Sequence, residues 1–375
     1  MSDMPGMSGV SKSKGENPNQ MPYLPGSKIR ASSPAVEAKL REHYKGVTPT
    51  ILEAIRAKCP QAEVRYAKGC DFAGNDRSGF GDAEELARWA DVVILCGGGK
   101  YGWGTGCTTG EGIDCDRLTM LGIQEELAQC IAAIGKPRVF VHMDTKPLSS
   151  SFIVQNFDAV LEAWFPGDTG GQALADVLFG DYNPAGRLPV TAVASVGQIP
   201  IYASQRNGSG RRDSGGMVIA SYAEGSKEPL YCFGFGKSYT TFDYRDLSVT
   251  SVVNAKDWVE AACTVTNTGS CFGEEVVQLY VTDEMASMLR PAQELAGFYR
   301  VALDAGESKR VHFRMKASQF AFLDETMQWV VEAGDMTVRL GSSSDDIRLT
   351  GSFVISDSAV IDGKTRGFFA KTWEE

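Results

Sequence analysis

The sequence predicts a two-part fold, an α/β domain built on a parallel sheet followed by an all-β sandwich. Two observations carry this. Between residues 48 and 180, helical patterns alternate with continuous apolar strands, as in a parallel sheet covered on both faces. From about Tyr244 the pattern switches to period-two runs separated by turn residues, and about a hundred residues of this kind are expected to form a sandwich.

The elements follow in order. Residues 1–46, rich in Ser, Pro, Gly and Asn, read as a disordered leader with at most a helical patch at Val36 to His43. Thr48 is placed to cap a helix with Pro49 at its first position, and Ile51, Leu52 and Ile55 share one face. Glu63 to Tyr66 reads as a short strand. Asp82 with Glu85 three residues on is a capping-box pattern, with Leu86 and Trp89 giving that helix its apolar side. A buried strand is expected over Asp91 to Cys96. A helix over Met120 to Ile134, stopped by Gly135-Lys136-Pro137, leads to the strand Arg138 to Met143. Asp158 to Trp164 supplies a third apolar strand, and Gly170 to Phe179 a helix ended by Gly180. In the second part, Val259 to Thr266, Glu275 to Thr282, Arg310 to Lys316 and Asp335 to Leu340 are expected strands. Asn267-Thr268-Gly269 and Asp304-Ala305-Gly306 are their turns. The expected organisation is a leader (1–46), an α/β domain (47–243), a β-sandwich (244–356) and a loose polar tail (357–375).

Composition bounds the function. The 375 residues are 43% hydrophobic and 22% charged, with a net charge of -10. That acidity, with no Lys/Arg run, argues against nucleic acid or an anionic membrane as partner. A neutral or cationic small ligand fits better. No stretch is apolar enough for a signal-peptide core or a membrane span, so the chain is read as soluble and its location left open. Nine scattered cysteines without a CxxC pair favour reduced thiols. No His/Cys/Asp cluster has metal-ligand spacing, and no cofactor is expected.

The segment with most chemical content is Gly110-Glu111-Gly112-Ile113-Asp114, at the end of a glycine-rich loop after the Asp91 to Cys96 strand. Such a loop puts its side chains at the carboxyl edge of a parallel sheet, where open α/β folds bind ligands. Glu111 is the candidate catalytic carboxylate. Trp103 is a candidate to stack on a sugar ring, weighed against packing on its own domain. Asp114 and Asp116 are candidates to bind hydroxyls, weighed against turn stabilisation. Gly97-x-Gly99-x-x-Gly102 formally matches a dinucleotide fingerprint, but some sixteen residues of loop precede Leu118 where a helix should open. His142, inside an apolar strand, reads as a satisfied core histidine, and Glu162 and Trp164 as buried strand residues.

These motifs resemble glycoside hydrolase family 3. Glu111-Gly112-x-Asp114-x-x-x-Leu118-x-Met120-x-Gly122-x-Gln124 is similar to that family's Glu-Gly-x-Asp-Arg-x-x-Leu-x-Leu-Pro-Gly-x-Gln segment. The likeness continues through Ala163-Trp164-Phe165-Pro166-Gly167, the run from Gly170 to Thr191, and Phe233 to Phe242. It reaches Val265 to Gly269 and Glu275 to Val281, which resemble the family's fibronectin type III-like domain. It covers roughly residues 47 to 355. The resemblance implies a β-glucosidase-like or β-xylosidase-like exo-acting retaining hydrolase, acting on an oligosaccharide or β-glycoside, with Glu111 as acid/base. Cys115 and Leu121 stand where the family has Arg and Pro. The family also implies a (β/α)8 barrel of about 250 residues ahead of the α/β domain, carrying the nucleophilic Asp in a Ser-Asp-Trp-like strand end. No such segment is found in these residues. A barrel-bearing partner chain, or an incomplete gene, would account for it. The alternatives are a noncatalytic carbohydrate-binding module or inactive fragment, and a nucleotide-binding protein fused to a sandwich. The family's α/β domain also begins with a strand and helix that the leader does not match, so an open sheet edge is expected.

Overall fold

The structure, a computed structural model, describes Glu42 and residues 48–102, 107–110, 113–206, 222 and 224–375. The expected disordered leader, and with it the Val36 to His43 patch, otherwise lies outside the described residues. The chain divides into two compact units, Met1–Phe179 and Gly180–Glu375.

The first unit is built from helices α1 (Ile51–Lys58), α2 (Phe80–Trp89), α3 (Gln124–Ala133), α4 (Ser151–Asn156) and α5 (Gly170–Phe179) around strands β1 (Val93–Gly98), β2 (Arg138–Met143) and β3 (Ala159–Glu162). The strands form a parallel sheet in the order β1-β2-β3, in register from Val93 opposite Arg138 and Val139 opposite Ala159. Among the described residues β1 has no ladder partner on its outer side. One core packs Met120, Ala128, Phe140 and Ile153; a second packs Phe80, Ala87, Ile123, Leu127 and Ile131. α1 packs on α5 through Ala54, Ile55 and Ala175, and Lys58 is paired with Asp176.

Several local expectations are corrected. The cap of α1 is Thr50, not Thr48: Thr50 and Glu53 form the reciprocal capping box, which fixes the helix start two residues later. Glu63 to Tyr66 is not a strand; the Val64 carbonyl accepts from Arg56 Nη2 at 3.2 Å, and the Val64 side chain packs beside the α1–α5 contact. α2 has no side-chain cap, since its first residue follows Gly79. Its inward side is Phe80, Ala83 and Ala87, while Trp89 is exposed under the Arg65 guanidinium, 4.1 Å from the ring centre. β1 is shifted two residues along, half-buried, and Cys96 faces solvent, as befits an edge strand. α3 begins at Gln124, not Met120. Gly122 turns the chain with φ +65° and lies so close to the backbone of Ala73 and Gly74 that a Cβ would come 2.8 Å from the Gly74 oxygen. Trp164 lies past the end of β3 at φ 51°. Helix α4, capped by the Ser150 hydroxyl on the Ile153 amide, has too few residues to show a period.

The second unit is a sandwich. One sheet holds β5 (Val252–Val253), β13 (Ile347–Ile355), β12 (Gly334–Gly341), β7 (Gly273–Asp283) and β8 (Glu294–Leu303), in that order. The other holds β15 (Lys371–Glu374), β9 (Ser308–Lys316), β6 (Trp258–Asn267) and β4 (Phe242–Val249). A small sheet of β10 (Phe322–Leu323), β11 (Trp329–Val331) and β14 (Ala359–Val360) completes it. Alternate residues of each long strand enter one core: Val259, Ala261, Cys263 and Val265 from β6, Val311, Phe313 and Met315 from β9, Val277, Leu279 and Val281 from β7. The tail is not loose. Residues 371–374 pair with 311–314, covering the edge of β9.

β7 is buried on both faces because the segments around Asn183, Arg187 and Gly234 lie against its outer side. Gln278 donates to the Gly234 carbonyl at 3.0 Å and accepts from Tyr280, and Arg187 meets Glu275 at 2.7 Å. Asn183 donates to the Phe272 carbonyl and accepts from Ser238 and the Tyr239 amide. This is why the compact units part after Phe179, upstream of the expected boundary at residue 243. Asn267 is wholly buried and fully bonded: its side chain donates to Cys271 and Leu303 carbonyls and accepts from Thr240 and the Gly269 amide, pinning the expected Asn-Thr-Gly turn.

Candidate functional site

The carboxyl ends of β1 and β2 hold a loop whose two bonded segments run parallel, bridged at Tyr101 and Thr109, and its anchors are polar groups buried where the strands stop. Gln124, at the start of α3, accepts from the Gly98 amide at 2.8 Å and donates to the carbonyls of Gly98 (2.9 Å), Phe72 (3.0 Å) and Leu121 (3.2 Å). The Gly99 amide then donates to the Met143 carbonyl at 2.8 Å, prolonging the β1–β2 ladder into the loop. Gly99 is pressed between Asp144 and Thr108. A Cβ there would come 2.5 Å from Asp144 Oδ1 and 2.7 Å from Thr108 Oγ1.

From this anchor the two arms of the loop zip together. The Thr108 amide donates to the Lys100 carbonyl at 2.8 Å, and Thr108 Oγ1 accepts from the Lys100 amide at 2.9 Å. The Gly102 amide reaches the Thr109 carbonyl at 3.0 Å. Further out, Gly110 and Ile113 exchange both backbone bonds, at 2.9 and 3.2 Å. On the return arm Cys115 Sγ donates to the Thr108 carbonyl at 2.9 Å. Lys146, past the end of β2, donates to the Arg117 and Thr119 carbonyls at 2.9 and 3.2 Å and holds the loop's exit. The two bonds between Gly110 and Ile113 bracket Glu111 and Gly112 in sequence. Glu111, Gly112 and Trp103 themselves lie outside the described residues.

Of the other candidates, Asp114 is exposed, and its carboxylate accepts from the amide of the next residue, Cys115, at 2.7 Å. Asp116 is exposed and paired with Arg117 at 3.0 Å, whose guanidinium holds its carboxyl below the ordinary value. His142 is buried with Nδ1 2.9 and 3.0 Å from the two Glu162 carboxylate oxygens, so Nδ1–H donates to Glu162. The same carboxylate accepts from the Leu148 amide at 2.9 Å, so the pair ties β2, β3 and the following loop together. The glycines of the formal dinucleotide fingerprint have packing reasons of their own, since a Cβ on Gly97 would meet Phe140 and one on Gly99 would meet Asp144. Residues 103–106, where the fingerprint's helix would open, lie outside the described residues. Among the described residues no group of three or more His, Cys, Asp or Glu is arranged to hold a metal.

Sequence reasoning missed Thr108, Asp144 and Lys146. Gln124 stood in the motif but without a role. Nothing local marks the first three, because each acts on a segment that is distant in sequence or on the far arm of the loop.

The chain is a parallel α/β unit with a zipped loop at its strand ends, followed by an antiparallel sandwich, and known proteins match both parts. Residues 17–239 match the glycosyl hydrolase family 3 C-terminal domain, and residues 275–344 match the fibronectin type III-like domain. The chain belongs to glycosyl hydrolase family 3. It is 37% identical to a β-xylosidase of Formosa agariphila over 83% of this chain and 42% of the relative. It is 39% identical to a periplasmic β-glucosidase of Salmonella typhimurium over 72% of this chain and 35% of the relative. The solved structure of a β-glucosidase from Erythrobacter marinus superposes with a TM-score of 0.73 at 33% identity, covering 82% of this chain and 43% of that one. The chain thus spans less than half the length of these relatives. The family match also begins at residue 17, within the segment read from composition as a leader.

Proposed function

We propose that this chain is the α/β and sandwich portion of a retaining, exo-acting, β-glucosidase-like glycosidase, with Glu111 as its general acid/base. The observation that supports it most is the loop: two zipped arms project from the carboxyl ends of a parallel sheet, and the closing pair Gly110–Ile113 brackets Glu111. Retaining hydrolysis needs a second carboxyl group about 5 to 5.5 Å away to attack the anomeric carbon. One carboxylate protonates the leaving oxygen and then activates water; the other forms the glycosyl-enzyme bond. Trp103 and Asp114 are proposed to line the sugar, and the nucleophile to come from a barrel-bearing segment or partner chain. In that complex, burial and the neighbouring nucleophile would raise the Glu111 pKa into the range of a working acid.

The test uses aryl β-glucosides and β-xylosides. The purified chain alone is expected to give no turnover, and mixing with a barrel-bearing family 3 fragment to restore it. Turnover by the chain alone that disappears in Glu111→Gln would overturn the need for a partner. Full activity of Glu111→Ala in the mixture would remove Glu111 from the mechanism. The second reading is a noncatalytic carbohydrate-binding module. It predicts sugar binding without restored turnover in any mixture.

A further inference from the structure

One patch on the outer face of the four-stranded sheet gathers cations in a chain whose net charge is -10. On β9 the inward positions are Val311, Phe313 and Met315, so the pleat turns Arg310, His312, Arg314 and Lys316 outward. The register sets Trp258 of β6 opposite Lys316, and sets Lys371 and Trp373 of β15 opposite Arg314 and His312. Three cations therefore gather on one indole: Arg314, Lys316 and Lys371 lie 4.9, 5.5 and 5.3 Å from the Trp258 ring centre. Beside them His312 and Trp373 stack, with centroids 4.9 Å apart and planes 7° from parallel.

The ring quadrupole favours each cation singly, but three together repel one another. Among the described residues, one of the three, Arg314, has a carboxylate partner, Glu260 at 3.1 Å. Lys316 and Lys371 have no carboxylate partner among the described residues. Trp258, Lys371 and Trp373 lie outside both family matches, whereas Arg310, His312, Arg314 and Lys316 lie within the fibronectin type III-like match.

We propose that this face binds an acidic polysaccharide carrying uronate carboxylates. One cation here, Arg314, already pairs with a carboxylate, Glu260, and a uronate offers the same group to Lys316 and Lys371. That interleaved glutamate also selects among polyanions. A nucleic acid, with a charge about every 1.7 Å of duplex axis, would press phosphates against it, whereas sugar hydroxyls donate to it. Such a surface would keep the chain on a charged glycan independently of the Glu111 loop.

The experiment is affinity electrophoresis and titration of this chain with polygalacturonate, a neutral β-1,4-glucan, a single-stranded oligonucleotide and anionic vesicles. Retardation by polygalacturonate alone, weakening as salt rises, is the expected result. The Lys316→Gln/Lys371→Gln variant, which touches no core residue, should lose about tenfold in affinity with unchanged circular dichroism. Absence of retardation, unchanged affinity in the variant, or equal retention by oligonucleotide or vesicles overturns the proposal.

Discussion

Gly99 is the residue on which the loop's geometry turns. A side chain there collides with Asp144 on one side and Thr108 on the other, so the loop can leave β1 at this angle only with hydrogen in that place. Gly99→Ala is expected to destabilise the α/β unit by about 1–3 kcal/mol, read as a lowered denaturation midpoint. In an enzyme supplied with its barrel, it should lower kcat as well, by displacing the arms that bracket Glu111. Glu111→Gln in the same enzyme should lose about 10²–10⁴-fold in turnover without changing the midpoint, and that contrast separates the chemistry from the scaffold. Gln124 stands in a contiguous motif that the sequence singles out, although its hold on Gly98 was not legible there. Asp144 was not legible either, since its partner Gly99 is forty-five residues upstream and belongs to another strand's loop.

At the scale of elements, β15 shows what local pattern cannot report. Lys371 to Glu374 has no period long enough to read, yet its strand covers the edge of β9. Glu375 and Arg310 exchange backbone bonds at 2.8 and 2.9 Å, and Lys309 reaches Glu374 at 2.9 Å. Deleting residues 371–375 should lower the sandwich's melting midpoint and raise light scattering at modest concentration, because β9 becomes an open edge. An unchanged midpoint would show that the strand adds nothing. The strands that were legible, β2, β6, β7, β9 and β12, bury alternate or continuous apolar residues. β4, β8 and β13 were missed because charged and small residues interrupt them, and pairing rather than propensity makes them strands.

For the molecule as a whole, the buried Arg187–Glu275 pair binds the stretch after Gly180 to the sandwich, the side chains being 8% and 5% exposed. Arg187→Met should cost about 3–5 kcal/mol by stranding a buried carboxylate. The paired change Arg187→Met/Glu275→Leu should cost much less, as urea titration would show. Burial raises the Glu275 carboxyl above its ordinary value in spite of Arg187. The folded state therefore keeps this proton to higher pH than the unfolded chain does. Its contribution to stability is full below the ordinary carboxyl pKa and falls as pH climbs through the raised value. Glu275→Gln should remove that slope from the stability-against-pH curve. The sequence by itself determined the family, the α/β-then-sandwich order and the catalytic candidate, because helix and strand periods and a contiguous motif are properties of neighbouring residues. Only the tertiary structure decided that Gly234 meets Gln278, that Arg187 neutralises Glu275, and that Trp258, Arg314 and Lys371 share one face. Those contacts join residues forty-four to a hundred and thirteen positions apart; strand pairing and register bring the Trp258 group together, and loop segments packed on β7 bring the others within reach.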